Sequence, residues 1–317
     1  MSRAAPRRRA VVFAYHDVGV RCLKVLIGGG VDIPLVVTHQ DSAAENVWFG
    51  SVEQTARDHG IPVVTPADPN TPEFLERLRA LAPDLIFSFY YRQMLKPALL
   101  AIPPMGALNM HGSLLPRFRG RAPVNWAVLH GAVETGASLH YMVEKPDAGD
   151  LVAQTAVPIL PDDTAHEVFG KVTVAAELTL WKVLPDLLAG TAPRQPLDLA
   201  AGSYFGGRRP EDGRFDWSWP VRRIHDLVRA VAPPYPGAWA MLGDARLDLP
   251  GSRVLADGMP GTVRPPRLTA DDGRIVLETA DGGRLWLRGP ALDGRPLDAA
   301  GLAARFALPL QVPLTRS

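Results

Sequence analysis

Short, apolar, β-branched runs alternate with amphipathic stretches along the first half of the chain, and this alternation restricts the fold more than any single motif. AVVFAY (10–15), PLVVTH (34–39), IPVVTP (61–66), DLIFSFY (84–90) and GALNMH (106–111) read as strands. VRCLKVLIGG (20–29) and segments near 51–59, 72–80, 94–101 and 123–131 read as helices. Strand, helix, strand in repetition predicts a doubly wound α/β domain built on a mainly parallel sheet. ASLHYMV (137–143) and LVAQTAVPI (151–159) alternate in the period of two that suits an antiparallel pair. A long helix follows. Thr164 and Glu167 have capping-box spacing, Val168, Val172, Ala175, Leu180 and Leu184 supply an apolar face, and Gly190 can close the end.

That helix is expected to end a first domain spanning 1–190. Residues 191–213 are rich in Pro, Gly and Arg without a sustained period, so they read as linker and loop. A helix near 219–231 and short strands at 238–249, 252–264, 274–280 and 284–288, with Asp281-Gly282 as a hairpin turn, predict a smaller β-barrel-like (OB-like) domain over 214–317. Two domains suit the 317-residue length. With 47% hydrophobic and 21% charged residues, the chain is no disordered protein. Lys+Arg at 34 against Asp+Glu at 33 leaves +1, too even for a protein that grips polyphosphate by overall charge.

The lone cysteine, Cys22, excludes an internal disulfide and a thiolate-rich metal site, and the expected compartment is the reducing cytoplasm. The basic start MSRAAPRRR leads into an apolar stretch too short for a signal peptide, and no apolar run is long enough to cross a bilayer. Direct membrane insertion is therefore not expected. Gly28, Gly29 and Gly30 follow the first helix and read as its C-cap, while the first turn, YHDVG, lacks the GxGxxG glycines of a dinucleotide site. GxxxxGK[ST] and HExxH do not occur, and the histidines are scattered, so no metal is expected.

The stretch NMHGSLLPRFRGRAPVNWA (109–127) starts at the end of a predicted strand and runs through a loop into a helix. Residues two apart on a strand share a face, so Asn109 and His111 project together at the carboxyl edge of the sheet, where ligands bind in open α/β folds. Gly112 adds no bulk and would let a substrate approach. Asp147, in the loop EKPDAGD between the antiparallel strands, lies where it can fold back over the same edge. Taken singly, Asn and His beside Gly are common turn and capping residues. Together with Asp they permit acyl transfer to an amine. An amide N–H stabilises the oxyanion, an imidazole moves the proton between attacking and leaving nitrogens, and a carboxylate steadies the imidazolium.

The Asn-x-His pair, SLLPRFRG and the later Asp resemble the formyltetrahydrofolate-dependent formyltransferases, a family that includes methionyl-tRNA, glycinamide-ribonucleotide and amino-sugar formyltransferases. The glycinamide-ribonucleotide enzymes have one domain, and the β-rich second half here argues against them. VVFAYHDVG (11–19), FSFYYRQML (87–95), NMHGSLLPRFRGRAPVNW (109–126) and YFGGRRPEDG (204–213) are most similar to the formyltransferase modules of UDP-4-amino-4-deoxy-L-arabinose modification, which act in lipid A modification and polymyxin resistance. Such modules are commonly fused to a decarboxylase; here the resemblance implies a stand-alone formyltransferase and leaves room for a separate decarboxylase elsewhere in the pathway.

The resemblance implies 10-formyltetrahydrofolate as co-substrate and a UDP-linked amino sugar as acceptor. It implies Asn109 as transition-state stabiliser, His111 as proton donor and Asp147 as the residue that raises the histidine's pKa. It implies folate contacts at Gln93, Met94, Leu95, Arg121 and the segment Val143, Glu144, Lys145, Pro146 and Asp147. The tRNA enzymes of the family share a basic loop after the second strand. Here residues 25–56 contain no Lys or Arg, and THQDSAAENVWFG (38–50) carries Asp41 and Glu45 instead, so a nucleic-acid acceptor is not expected. Arg208 and Arg209 could clamp a diphosphate or simply lie in a solvated loop. Trp217, Trp219, Tyr235 and Trp239 read as core of the second domain before they read as a base-stacking surface. Another nucleotide-linked amino sugar, methionyl-tRNA as acceptor, and a non-catalytic folate or nucleotide binder are the alternatives.

Overall fold

The computed structural model describes residues 7–42 and 46–312; Glu45, noted above, lies outside them. The first half follows the alternation: β1 (Arg9–Ala14), α1 (His16–Gly28), β2 (Asp32–Val37), α2 (Val52–Asp58), β3 (Val63–Val64), α3 (Pro72–Ala80), β4 (Leu85–Phe89), α4 (Pro97–Leu100) and β5 (Ala107–His111). A short β6 (Arg119–Gly120), α5 (Pro123–Leu129), β7 (Glu134–Tyr141), β8 (Leu151–Pro158), α6 (Ala165–Ala189) and β9 (Tyr204–Phe205) complete it.

Seven strands form one sheet in the order β3-β2-β1-β4-β5-β7-β8. The pairs from β3 across to β5 are parallel, while β7 runs antiparallel to both β5 and β8. After β3 the chain crosses to the other side of β1 to form β4, and such a reversal opens a crevice at the carboxyl ends of the strands. Central β1 and β4 are mostly apolar, and they are buried from Ala10 to Ala14 and from Leu85 to Phe89 because both their faces are covered. Phe13, Phe87 and Phe89 are fully buried, each contributing roughly 1.5–3 kcal/mol of transfer free energy.

Local signals placed the helices. Ser51 and Thr71 accept the Gln54 and Phe74 N–H groups as N-caps of α2 and α3. Thr164 and Glu167 form the expected capping box, with Glu167 Oε2 accepting the Thr164 N–H at 2.7 Å and Thr164 Oγ1 accepting the Glu167 N–H at 3.3 Å. Gly190, at φ +76°, closes α6. Gly29 and Gly30 cap α1, and Gly30 takes the left-handed φ of +74°. Among the described residues no helix is long and apolar enough to cross a membrane.

The contacts separate two units, and the separation differs from a single cut after 190. The first comprises the chain up to Pro123, Glu134–Pro158 and Phe169–Gly206; the second comprises Val124–Val133, Ile159–Val168 and the chain from Gly207. Polar anchors explain why the two short segments go with the second unit. Asn125 Nδ2 donates to the Ala230 carbonyl at 2.8 Å, His225 Nε2 lies 3.0 Å from the Pro161 carbonyl, and Arg229 Nη1 donates to the Asp163 carbonyl at 3.2 Å. The expected 191–213 linker is also more than loop, since its Tyr204–Phe205 pair forms β9 against β6.

The second unit carries α7 (Val221–Ala230), β10 (Ala238–Leu242), β11 (Ala245–Leu249), β12 (Gly251–Ala256), β13 (Arg267–Asp271), β14 (Arg274–Glu278), β15 (Arg284–Arg288), β16 (Ala291–Leu292), β17 (Arg295–Pro296), α8 (Ala299–Arg305) and β18 (Leu310–Gln311). This is the expected β-rich domain, arranged as antiparallel sheets of order β10-β11-β16-β17 and β12-β15-β14-β13-β18. Val221, Ile224, Leu227 and Val228 of α7 join both sheets in one core. Asp281 and Gly282 make the β14–β15 hairpin turn, with Gly282 at φ +80°.

Candidate active site

β5 delivers Asn109 and His111 to the carboxyl edge beside β4. Antiparallel pairing sets Asn109 opposite His140 of β7 and His111 opposite Ser138. The Asn109 Nδ2 is accordingly 3.2 Å from His140 Nε2. The loop between β7 and β8 brings Asp147 over the same edge, with its Oδ1 3.5 Å from His111 Nδ1 and 3.5 Å from His140 Nε2. Its Oδ2 accepts the Gly120 N–H at 2.9 Å. Asn109, His111 and Asp147, far apart in sequence, are thus brought together with a fourth polar residue, His140.

The hydrogen bonds decide the protonation pattern. His111 Nε2 is 2.9 Å from the Phe118 carbonyl oxygen. A carbonyl only accepts, so Nε2 carries the hydrogen, and Nδ1, facing Asp147, is where the ring gains or loses its proton. His140 Nδ1 lies 2.8 Å from the Tyr141 carbonyl and carries a hydrogen by the same reasoning. When neutral, His140 accepts at Nε2 from the Asn109 amide; when protonated there, it donates to Asp147. Burial is the largest influence on the Asp147 carboxyl and opposes its charge. The charge of His111, the hydrogen bond and charge of His140, and the Gly120 N–H together outweigh it and hold the carboxyl well below the usual carboxylate range. A fixed anion therefore stands between two imidazoles.

Gly112 serves a different purpose from the one expected. A Cβ there would overlap the hydroxyl of Tyr90, so the space beside His111 is filled by this protein's own phenol, not left for a substrate. At the proposed folate positions, Gln93 turns its side chain away: its Nε2 donates to the Ala67 carbonyl at 2.8 Å and its Oε1 accepts from the Tyr91 hydroxyl. Leu95 is buried in the apolar core. The side chains of these two residues are thus engaged within the protein, whereas Met94, Arg121, Val143, Glu144 and Lys145 are exposed and Pro146 is half-buried.

Arg208 and Arg209 lie in the second unit, where the Arg208 side chain and the Arg209 backbone make internal contacts. The Arg208 guanidinium lies 4.8 Å from the Trp126 ring centroid and donates to the Asp212 carbonyl, and the Arg209 N–H donates to Asp212 Oδ2. Trp217 is core, its indole N–H donating to the Met241 carbonyl at 2.7 Å, and Trp239 is flanked by Arg214 and Arg246. Among the described residues no group of three or more His, Cys, Asp or Glu side chains is arranged to hold a metal ion. His140 is the member of the cluster that the motif reading passed over. Its trace in the sequence is a histidine at an otherwise apolar position of ASLHYMV, which becomes meaningful only once β7 is known to lie against β5.

The Formyl transferase family matches residues 18–184, and Formyl transferase, C-terminal domain, matches 208–306. The chain belongs to the formyl transferase family and is a formyl transferase in class. Solved structures share its fold. A crystal structure of WlaRD, a sugar 3N-formyl transferase with dTDP and 5-N-formyl-THF, superposes with a TM-score of 0.70 at 16% identity, covering 89% of this chain and 98% of that one. An N-formyltransferase from Helicobacter canadensis, in complex with folinic acid and dTDP-3-aminofucose, gives 0.70 at 17% with the same coverage. A 4-N formyltransferase from Francisella tularensis gives 0.60 at 20%, covering 75% and 93%.

Proposed function

We propose that this protein transfers the formyl group of 10-formyltetrahydrofolate to the 4-amine of UDP-4-amino-4-deoxy-L-arabinose. The observation that carries the reading is the convergence of Asn109, His111 and Asp147 at one strand edge, a donor set suited to amide-forming acyl transfer. The co-substrate supplies an activated one-carbon acyl group. Asn109 keeps one amide hydrogen for His140 and aims the other at the oxygen where charge develops as the amine adds. His111 takes up the proton that the attacking amine sheds and returns one from Nδ1 to the departing nitrogen. Asp147, ionised and buried, holds the ring and offsets the charge of its cationic form. The C–N bond to the acceptor forms, the C–N bond to the donor breaks, and no side chain is acylated.

A nucleotide-linked amino sugar as acceptor agrees with the ligands named for the structural neighbours and with the absence of Lys and Arg across 25–56. The choice of UDP-4-amino-4-deoxy-L-arabinose rests on the motifs at 11–19, 87–95, 109–126 and 204–213. The dTDP named for one neighbour and the dTDP-3-aminofucose named for another favour the second reading, a different nucleotide-linked amino sugar with the same catalytic residues. The test is incubation with 10-formyltetrahydrofolate and a panel: the UDP sugar, dTDP-3-amino and dTDP-4-amino sugars, and methionyl-tRNA, with products read by mass spectrometry. Formylation of the UDP sugar with the highest kcat/KM is expected. Preference for a dTDP sugar selects the second reading, and formylation of methionyl-tRNA alone overturns both.

A further inference from the structure

Both His111 and Asp147 lean on one short segment. The Phe118 carbonyl accepts from His111 Nε2 at 2.9 Å, and the Gly120 N–H donates to Asp147 at 2.9 Å. The backbone there takes left-handed values, φ +53° at Phe118 and +96° at Gly120, and a phenylalanine keeps such a conformation only when its surroundings impose it. The stretch expected to be a plain linker imposes it. Ser203 Oγ accepts the Phe118 N–H at 2.8 Å, the Ser203 carbonyl accepts the Arg119 N–H at 2.9 Å, and the Ser203 N–H donates to the Pro116 carbonyl at 3.2 Å. The Phe205 carbonyl accepts the Arg121 N–H at 3.0 Å, and the Phe205 ring stacks on Phe118. A Cβ on Gly202 would overlap the Pro116 carbonyl, and one on Gly120 would overlap that of Phe205, so the two segments touch backbone to backbone.

We infer that Ser203 is a positioning residue for formyl transfer. Its hydroxyl accepts the Phe118 N–H and its carbonyl accepts the Arg119 N–H, which holds the peptide on each side of Phe118, aims the Phe118 carbonyl at His111 and sets the register in which the Gly120 N–H anchors Asp147. The inference rests on the catalytic reading of His111 and Asp147. It makes the 202–206 strap part of the catalytic apparatus without any contact to substrate. Ser203→Ala removes one acceptor and leaves the backbone bonds in place, whereas Ser203→Thr retains the hydroxyl.

In the full-length protein, Ser203→Ala is expected to lower kcat roughly ten- to 10²-fold, the scale of a small misplacement of a catalytic group. KM for both substrates should stay within about twofold, and Ser203→Thr should restore kcat to a similar margin. A second measurement needs no acceptor: nitrogen-15 NMR of labelled histidine, with the His111 signals assigned by their loss in His111→Gln. Wild type and Ser203→Thr should show the Nε2–H form of the neutral ring, and Ser203→Ala a mixture of both tautomers. An unchanged tautomer in Ser203→Ala overturns the inference, as does a kcat loss that Ser203→Thr leaves unrepaired. If the wild type formylates no acceptor in the panel, the functional reading has failed, and the tautomer measurement still decides the role of Ser203.

Discussion

Replacing Asp147 by Asn changes little except a charge. Asn tolerates the left-handed φ of +52° found at this position, and its amide oxygen can still accept the Gly120 N–H. What disappears is an anion 3.5 Å from His111 Nδ1 and from His140 Nε2. For one unit pair at that separation, an effective dielectric of about 20 gives an attraction of about 5 kcal/mol. The cost of burying the carboxylate offsets part of it. If half survives as stabilisation of the cationic imidazole during transfer, the barrier rises by about 2–3 kcal/mol and kcat falls roughly 10²-fold. Steady-state formyl transfer with the preferred acceptor measures this, with circular dichroism to show the fold retained. A folded Asp147→Asn enzyme whose kcat stays within about twofold of wild type would refute the electrostatic argument. The variant should also differ in acid. The Asp147 carboxyl titrates below its unfolded value of about 3.9, so its contribution to stability is complete above that pH and is lost as the pH falls through the folded value. Asp147→Asn should lack that portion of the acid-induced loss.

Asn109→Ala should cost about 10²–10³ in kcat through the missing oxyanion donor, measured in the same assay. Gly112→Ala should lower stability by about 1–3 kcal/mol because its methyl group collides with the Tyr90 hydroxyl, and adding Tyr90→Phe should recover part of the loss in thermal denaturation. His225 is buried in the second unit, where its desolvation outweighs the Pro161 carbonyl and holds its pKa below the usual value. The unfolded chain therefore takes up the proton first, and stability should decline as the pH falls below about 6.5. A His225→Gln variant should show a shallower decline between neutral pH and about pH 5, where most carboxylates are still ionised.

The parallel sheet was legible because its strands carry short, largely apolar runs, and Asn109 and His111 stood out because they share a face at the end of such a run and combine with a later Asp, although singly they read as common turn residues. Asp147 was legible only as a loop residue of the right chemistry; its approach to His111 depends on β7 returning antiparallel beside β5. Strand order is also what hid His140, since it becomes a site residue only as the cross-strand partner of Asn109. The 191–213 stretch misled for a different reason. A two-residue parallel pairing such as Arg119–Tyr204 and Gly120–Phe205 has no periodicity to detect, and Pro and Gly there mark close backbone approach as much as they mark flexibility.

Local propensity is overridden at three positions of the site. Tyr90, Phe118 and Asp147 all have left-handed backbones without being glycine, at φ +57°, +53° and +52°. Local chemistry disfavours each, by about 1–3 kcal/mol for a residue held in such a region. Each is held by something remote in sequence: Asp147 by Gly120, Phe118 by Ser203, and Tyr90 next to a Gly112 that has no room for a side chain. A loop optimised for its own conformation would relax all three, and the Phe118 carbonyl and Asp147 carboxylate would swing away from His111. The strained backbone persists because hydrogen bonds from β5, β6 and the strap each depend on it, so relieving the strain at one residue removes a constraint on the imidazole. Phe118→Gly should ease the local backbone while leaving His111 less well fixed, but it also removes a buried ring stacked on Phe205, a loss of about 3–5 kcal/mol against about 1–3 kcal/mol of strain relieved. Lowered thermal stability together with reduced kcat is the expected pair of results, and a folded variant whose kcat stays within about twofold of wild type would show that the left-handed turn is incidental to catalysis.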